Sequence, residues 1–590
     1  MHVPRPTASP RAAGATRAPR TGVHNADIAR CFEDIADLLE IGDENPFRIR
    51  AYRNAARIIG ELQLDLAGQI QGGRDLPKIA GIGEDLTGKI AEIATTGHCA
   101  LLERLRKTVP SAVAELLKIP GLGPRRVRTL YRELDVKSME QLLAAAREGR
   151  IRAIPGFGEK TEANIQQAVE ARLLKPRRYT LHVAAQYAEP FVRYLRDTPG
   201  VIRVVIGGSL RRMRESIGDI DIIATARSST RLMDRFVSYP EVKEVLSHGP
   251  TRSSVLLQSG MQVDLRVVPD ESYGAALHYF TGSKGHNIAM RRLAQQRGLK
   301  LNEYGLFRGR TRVAGASEES VFGALSLPFI PPELRENSGE IEAAGGGRLP
   351  VLVELRDLRG DLHSHTRWTD GQNTVKEMAE AAKARGLTYL AITDHSRRLA
   401  AAHGLDPRRL LDQIDEIAAI KVRGFTLLRG IEVDILEDGT LDLPDSVLAR
   451  LDIVIAAVHS RFNLSRERQT ARILKALGHP LVTMLAHPLG RLIGVREPYE
   501  VDMLKIVRQA AHRGRFLELN AHPERLDLHD VHCRMAKEEG ALVAVNSDAH
   551  SVQQLDNLKY GIGQARRGWL EKTDVANTRT LPELRRLLRK

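Results

Sequence analysis

The sequence predicts a multidomain chain: α-helical N-terminal domains, an α+β unit in the middle and a distorted (β/α)7 barrel at the C-terminal end. Three observations carry the prediction. The 590 residues exceed what one hydrophobic core can organise, and at roughly 150 residues per domain about four domains are expected. From Asp27 to about Lys175 apolar residues recur at helical spacing, broken by Gly/Pro turns, whereas from Tyr179 to Ile330 strand patterns (VIRVVIGGS, DIDIIA, SSVLLQ, MQVDLRVV) alternate with helical stretches. After a Pro-, Glu- and Gly-rich stretch from Pro331 to Pro350, read as a linker, the rhythm becomes short apolar strands alternating with amphipathic helices.

Composition narrows the class of partner. A formal net charge of +15 and a pI of about 9.7 favour a polyanion, and an apolar fraction of 42% excludes wholesale disorder. Cys31, Cys99 and Cys533 are dispersed without CxxC spacing, which fits a reducing, cytoplasmic setting without disulfides or a thiolate zinc site. No apolar run is long enough to cross a bilayer, so no membrane partner is expected. Residues 1–22, with Arg5, Arg11, Arg17 and Arg20 among prolines and no acids, read as a disordered basic tail.

In the helical region one pattern occurs three times: Ile79-Ala80-Gly81-Ile82-Gly83, Ile119-Pro120-Gly121-Leu122-Gly123 and Ile154-Pro155-Gly156-Phe157-Gly158. Two glycines around an apolar residue let the backbone turn sharply and aim free N–H groups and a helix N-terminus at an anion. Arg125, Arg126 and Arg128 supply counter-charge at the second turn. The pattern resembles the helix-hairpin-helix motif, which implies sequence-independent binding of DNA phosphates through Gly81, Gly83, Gly121, Gly123, Gly156 and Gly158. The stretch NPFRIRAYRNAARII together with Gly88-Lys89-Ile90-Ala91-Glu92 resembles the small N-terminal domain of polymerase beta and its relatives. That resemblance puts Lys89 where a lysine attacks the sugar aldehyde at an abasic site, and Arg48 and Tyr52 near a 5′-phosphate pocket. A plain DNA-facing cation is the alternative for Lys89. Residues 23–105 are expected to form this lyase-type domain, and 106–176 a fingers-type DNA-binding domain.

The next segment runs Gly207-Gly208-Ser209-Leu210-Arg211-Arg212-Met213-Arg214-Glu215-Ser216-Ile217-Gly218-Asp219-Ile220-Asp221. In a strand, Asp219 and Asp221 share one face while Ile220 and Ile222 face the core, so two carboxylates can clamp hard divalent cations. Asp264, mid-strand in Met261-Gln262-Val263-Asp264-Leu265, needs a partner or a metal there. Gly208 and Ser209 offer backbone amides to a triphosphate, and Arg212 can neutralise the leaving phosphates. The segment, with Tyr279-Phe280-Thr281-Gly282-Ser283-Lys284-Gly285-His286-Asn287 downstream, resembles the nucleotidyltransferase signature of polymerase family X. The resemblance implies a palm over 177–268 and a nucleotide-selecting thumb over 269–335. It further implies that Tyr279 and Phe280 lie against the sugar, that Gly282 and Asn287 contact the nucleotide, and that Mg2+ or Mn2+ is held by the three acids. Two positions depart from polymerase beta: His286 replaces a phenylalanine, which leaves base stacking open, and Ile217 replaces a small polar residue, which leaves one phosphate contact open.

Beyond a linker at 336–356, residues 357–590 repeat one device, an apolar strand ending in a metal-type ligand. Asp361-Leu362-His363-Ser364-His365 and then Asp370 come first, followed by LTYLAIT into Asp394-His395, FTLLRGI into Glu432, LDIVIAAV into His459, LVTMLA into His487, RFLEL into Asn520 and ALVAVNS into Asp548-Ala549-His550. Ligands at strand C-termini fit the rim of a barrel, and imidazole with carboxylate suits Zn, Mn or Fe better than Mg. The pattern resembles the PHP (polymerase and histidinol phosphatase) family, whose ligand positions are filled by His363, His365, Asp370, His395, Glu432, His459, His487, Asp548 and His550. A trinuclear phosphoesterase is implied; a metal-stabilised structural module is the alternative. Together these resemblances imply a monomeric, cytoplasmic DNA polymerase for base excision repair. It would fill gapped or nicked DNA from deoxynucleoside triphosphates, with 3′–5′ exonuclease, 3′-phosphatase or abasic-site endonuclease activity in the barrel. A template-independent nucleotide-adding enzyme is the competing reading for the palm.

Overall fold

The computed structural model describes residues 23–588 apart from 63, 73, 75, 77, 78, 80, 120 and 175–177; the basic tail and the hairpin residues Ala80 and Pro120 lie outside the described residues. Helices Asn25–Ile41 and Pro46–Glu61 pack on each other through Phe32, Ile35, Tyr52 and Ile59, all buried. The three glycine turns close in the same way. Ile82, Leu122 and Phe157 each donate N–H to the carbonyl three residues back, on Ile79, Ile119 and Ile154, at 3.1, 3.0 and 3.0 Å. Gly81, Gly121 and Gly156 take φ of +81°, +85° and +89°, a region that disfavours any Cβ. Gly83 and Gly123 then begin helices Glu84–Thr96 and Pro124–Leu134, and helix Glu159–Leu174 follows Gly158. The apolar residue of each turn is buried in the helical core, which leaves the glycine backbone facing outward.

The middle unit is a five-stranded mixed sheet in the order Val201–Ile206, Asp219–Ala226, Gln262–Val267, Arg252–Leu257, Val242–His248. The edge strand Val242–His248 escaped the sequence reading because its mostly exposed residues lack the apolar signature of the central strands. Helices Leu181–Arg196 and Ser229–Val237 cover the sheet through Phe191 and Phe236, stacked at 5.1 Å. A smaller unit follows, with helices Tyr273–Thr281 and Lys284–Gln296 and a three-stranded antiparallel sheet over Lys300–Asn302, Gly305–Arg308 and Thr311–Ala314.

The expected linker is ordered structure. Helix Glu340–Gly345 lies within it, and Glu340 is fully buried, accepting from the amides of Asn337 and Ser338 and pairing with His286 Nδ1 at 2.7 Å. Its low apolar content misled because this helix docks partly through a buried carboxylate.

The C-terminal region forms a seven-stranded parallel sheet whose strands neighbour one another in sequence order, from Gly360–Asp361 to Val543–Asn546. The bridge between Ser364 and Ala549 joins its first and last units, making a nearly closed barrel. Strand alternation puts Leu428 and Glu432 on one face, and Phe516, Glu518 and Asn520 on another such face. Leu584, on the C-terminal helix Leu581–Leu588, packs into the cluster formed by Leu362, Tyr389, Leu428 and Phe516. Among the described residues, no helix is long and apolar enough to cross a membrane.

Candidate active sites

Sheet register assembles the acids of the first site. Strands Asp219–Ala226 and Gln262–Val267 run parallel with Asp221 opposite Asp264 and Asp219 opposite Gln262, so Asp221 and Asp264 stand about one strand spacing, ~4.8 Å, apart, with Asp219 two residues along on the same face. Burial first, then the neighbouring Asp219 and Asp264, pushes the Asp221 carboxyl up to about 7; burial and Asp264 likewise raise Asp219. Mutually repelling carboxylates in a half-buried cleft call for a cation. Asp264 is aimed by Ser254, whose hydroxyl donates to Oδ1, and by Gln262 Nε2 at 3.2 Å. The glycine turn closes over the same group. Gly207 N–H donates to the Asp221 carbonyl at 2.8 Å, and a Cβ on Gly208, at φ +61°, would stand 2.1 Å from Asp221 Oδ2.

Around these acids, Arg212 pairs through Nε with Glu336 Oε1 at 3.0 Å and donates Nη1–H to the Thr281 carbonyl. Gly282, at φ +69°, lies beside that guanidinium. Ser209 is half-buried in the short helix Gly208–Arg211. Tyr279 and Phe280 meet edge to face at 5.1 Å, with the Arg266 guanidinium over Phe280. Asn287 donates Nδ2–H to the Tyr279 carbonyl at 2.7 Å, while its Oδ1 has no partner among the described residues. Both departures from polymerase beta are buried. His286 lies inside the thumb against Glu340 and cannot stack on a base, and Ile217 is buried in a two-residue strand paired with Tyr179–Thr180.

In the helical front, Lys89 Nζ contacts Asp85 Oδ1. Burial would lower the ammonium, but the Asp85 hydrogen bond and the attraction of Tyr52 outweigh it, and its pKa is raised. Tyr52 is buried beneath it; Arg48 stands 3.9 Å from Glu44 at the start of the same helix. Gly121 and Gly123 line a groove with Arg50, Arg53, Arg125, Arg126 and Arg128; of these Arg53 is paired with Asp37 and Glu40, and Arg128 with the carbonyls of Ile41 and Glu40 and with Asp43.

All nine candidate ligands of the barrel converge. Glu432 is the hub, with His395 and His487 at 2.8 Å, His459 at 3.2 Å, His363 at 3.4 Å and His365 at 3.6 Å. Asp548 adds contacts to His365 at 3.1 Å and His363 at 3.5 Å, and Asp370 reaches His395 at 3.6 Å and His550 at 3.5 Å. Donor atoms fall into three groups that share His365 and His395: His365–Asp370–His395–His550, His363–His365–Asp548 and His395–Glu432–His459. His363 Nε2 and both ring nitrogens of His365 are buried without a hydrogen-bond partner, a cost that metal coordination would offset. Burial opposes charge throughout, yet Glu432 and Asp548 are held well below the carboxylate range by surrounding imidazoles, while burial beside His550 and His395 lowers His365 to about 3.

Two carboxylates here were missed. Glu518 accepts from His363 Nδ1 at 2.7 Å and from the His487 amide at 2.7 Å, and Asp434 pairs with His459 Nδ1 at 2.9 Å. Such carboxylate–imidazole pairs fix the tautomer and free the other nitrogen for a metal. The available signal was alternation: Glu518 is an acid inside the apolar strand Phe516–Asn520, and Asp434 shares a face with Glu432.

Aligned acids under a glycine turn, in a chain that also carries phosphate-type hairpins and a barrel of imidazoles and carboxylates, define a nucleic-acid enzyme with two metal-dependent centres. Family models agree: a helix-hairpin-helix domain over residues 23–99, a SAM-like helix-hairpin-helix tandem over 113–171, a DNA polymerase beta thumb over 276–336 and a PHP domain over 361–522. The chain is 38% identical over 574 residues to the DNA polymerase/3′-5′ exonuclease PolX of Bacillus subtilis (strain 168), covering 96% of this chain and 100% of the relative. It belongs to the PolX family of family X DNA polymerases bearing a PHP domain. The barrel alone is 35% identical over 201 residues to a probable phosphatase of Thermoanaerobacter sp. (strain X514), 78% of that relative, and 33% identical over 215 residues to one of Caldanaerobacter subterraneus subsp. tengcongensis, 79% of it.

Proposed function

We propose that this enzyme fills short gaps in DNA during repair by two-metal nucleotidyl transfer, and trims or cleans 3′ ends in its barrel. The observation that carries the reading is the register of Asp221 against Asp264 beneath Gly208. Asp219 and Asp221 would hold two divalent ions, Mg2+ or Mn2+, with Asp264 shared by the one beside the primer terminus. Bound there, such ions acidify the 3′-hydroxyl and neutralise the triphosphate and departing pyrophosphate. The Gly208–Ser209 amides and Arg212 receive the phosphates, Tyr279 and Phe280 border the sugar, Gly282 contacts the nucleotide, and Asn287 Oδ1 accepts from it. The hairpin glycines, with Arg125, grip the DNA backbone. In the barrel the nine ligands would hold Zn, Mn or Fe, which supply Lewis acidity and an activated hydroxide for phosphoester cleavage. His363 and His459 are oriented for this by Glu518 and Asp434. We take the domains as read from the sequence, except that the helix Glu340–Gly345 continues the thumb where a linker was expected, and we take the enzyme to act as a cytoplasmic monomer.

One preparation tests the whole reading. Extension is expected on a gapped duplex and not on a single strand lacking a template, and release of 3′ nucleotides, 3′ phosphate or an abasic-site cut on the corresponding substrates. Equal incorporation with and without a template would support the nucleotide-adding alternative instead.

A 5′-deoxyribose phosphate lyase step at Lys89 is a second reading, favoured by the enclosure of its amine between Tyr52 and Asp85. Attack requires the neutral amine, and the raised pKa keeps it protonated near neutral pH. Borohydride trapping on abasic DNA is therefore expected to rise about tenfold per pH unit through the neutral range, and to vanish in Lys89→Ala. Trapping that persists in that variant excludes Lys89 as the nucleophile.

A further inference from the structure

The barrel seats on the loop that follows the palm's glycine turn. Gly563, in the barrel helix Leu558–Arg567, lies so close to Met213 that a Cβ there would meet Met213 Cε at 2.5 Å. Met213 itself takes φ +55°, so the loop bends sharply at this contact. At the end of the same helix, Arg567 is 2% exposed. Its Nη1–H donates to the Arg212 carbonyl at 3.0 Å and to Glu336 Oε1 at 2.9 Å, and its Nη2 pairs with Asp530. Glu336 Oε1 also accepts from Arg212 Nε at 3.0 Å, and Arg214 stands 3.9 Å away. One carboxylate oxygen is thus shared by a palm arginine and a barrel arginine.

That sharing has a consequence for nucleotide binding. For its Nε and Nη1 edge to turn to a triphosphate, the Arg212 guanidinium gives up Glu336 and the Thr281 carbonyl, and stripping the partner from a largely buried carboxylate is costly. Arg567 makes its own bond to Glu336, independent of the Arg212 side chain, and it also holds the Arg212 backbone through the carbonyl. We propose that Arg567, although it belongs to the barrel, is a positioning residue for deoxynucleotide binding at the polymerase centre, because it keeps Glu336 neutralised while Arg212 turns to the phosphates. The proposal rests on Arg212 being a phosphate partner.

The test is single-nucleotide gap filling by the full-length enzyme, with KM for the deoxynucleotide and kcat measured separately in Arg212→Ala, Arg567→Ala, Glu336→Gln and Arg567→Ala with Glu336→Gln. Arg567→Ala is expected to raise KM about tenfold with a much smaller change in kcat. Adding Glu336→Gln should bring KM back to within about twofold of wild type, because no anion remains to retain Arg212. A purely structural loss would not be rescued this way. If Arg212→Ala raises KM while Arg567→Ala does not, or if Glu336→Gln gives no rescue, the proposal is overturned. An unchanged KM in Arg212→Ala would instead remove the reading of Arg212 on which it stands. Should Arg567→Ala be insoluble, Arg567→Lys carries the same comparison: it keeps the charge but cannot reach Glu336 and Asp530 together, so a smaller rise, again rescued, is expected.

Discussion

Replacing Asp264 with alanine is expected to lower templated extension of a gapped duplex by at least about 10^3-fold, since loss of metal-assisted stabilisation removes several kcal/mol at 1.36 kcal/mol per tenfold. The fold should survive. Asp264 faces Asp221 across one strand spacing, so the substitution relieves repulsion; of the two groups it frees, Gln262 is partly exposed to water and the buried Ser254 hydroxyl alone loses its acceptor. DNA affinity should also persist, because the hairpin glycines lie in a different domain. Single-turnover extension and fluorescence anisotropy on the same labelled duplex separate the two quantities. Near wild-type extension by this variant would refute the assignment of the acids.

The complementary substitution is Glu432→Gln. It preserves shape and removes one charge from the centre of five imidazoles. We expect bound metal to fall, and release of labelled 3′ nucleotides to drop by about 10^3-fold or more, with gap extension retained because the palm acids are a separate set. Metal content by elemental analysis and nuclease rate on one preparation check it. Nuclease activity and metal content both equal to wild type would favour a contaminating nuclease and a structural role for the cluster. The expectation is stronger for Glu432 than for Asp370, which within 3.6 Å meets two imidazoles, those of His395 and His550, and is the exposed member.

Much of this was legible locally. Glycines in the three hairpins stand out because φ near +85° admits little else. Asp219 and Asp221 are readable because a strand repeats every two residues, and the barrel ligands because each ends an apolar run. Glu518 was hidden in the same kind of run, an acid whose partner lies far away in sequence at His363. The stretch around Glu340 read as linker for a related reason: its buried contacts are polar, and hydropathy does not register them.

By itself, then, the sequence determined the order of the units, the hairpin turns, the aligned acids of the middle sheet and the candidate ligands at the barrel rim, since each follows from backbone geometry or from periodicity within a short segment. Only the tertiary structure decided which charges meet. His286 is buried against Glu340, Glu518 and Asp434 pair with His363 and His459, and Arg567 reaches across from the barrel to share Glu336 with Arg212. The physical reason is that a buried charge must find its partner wherever the packed chain brings one, and that choice has no period along the sequence.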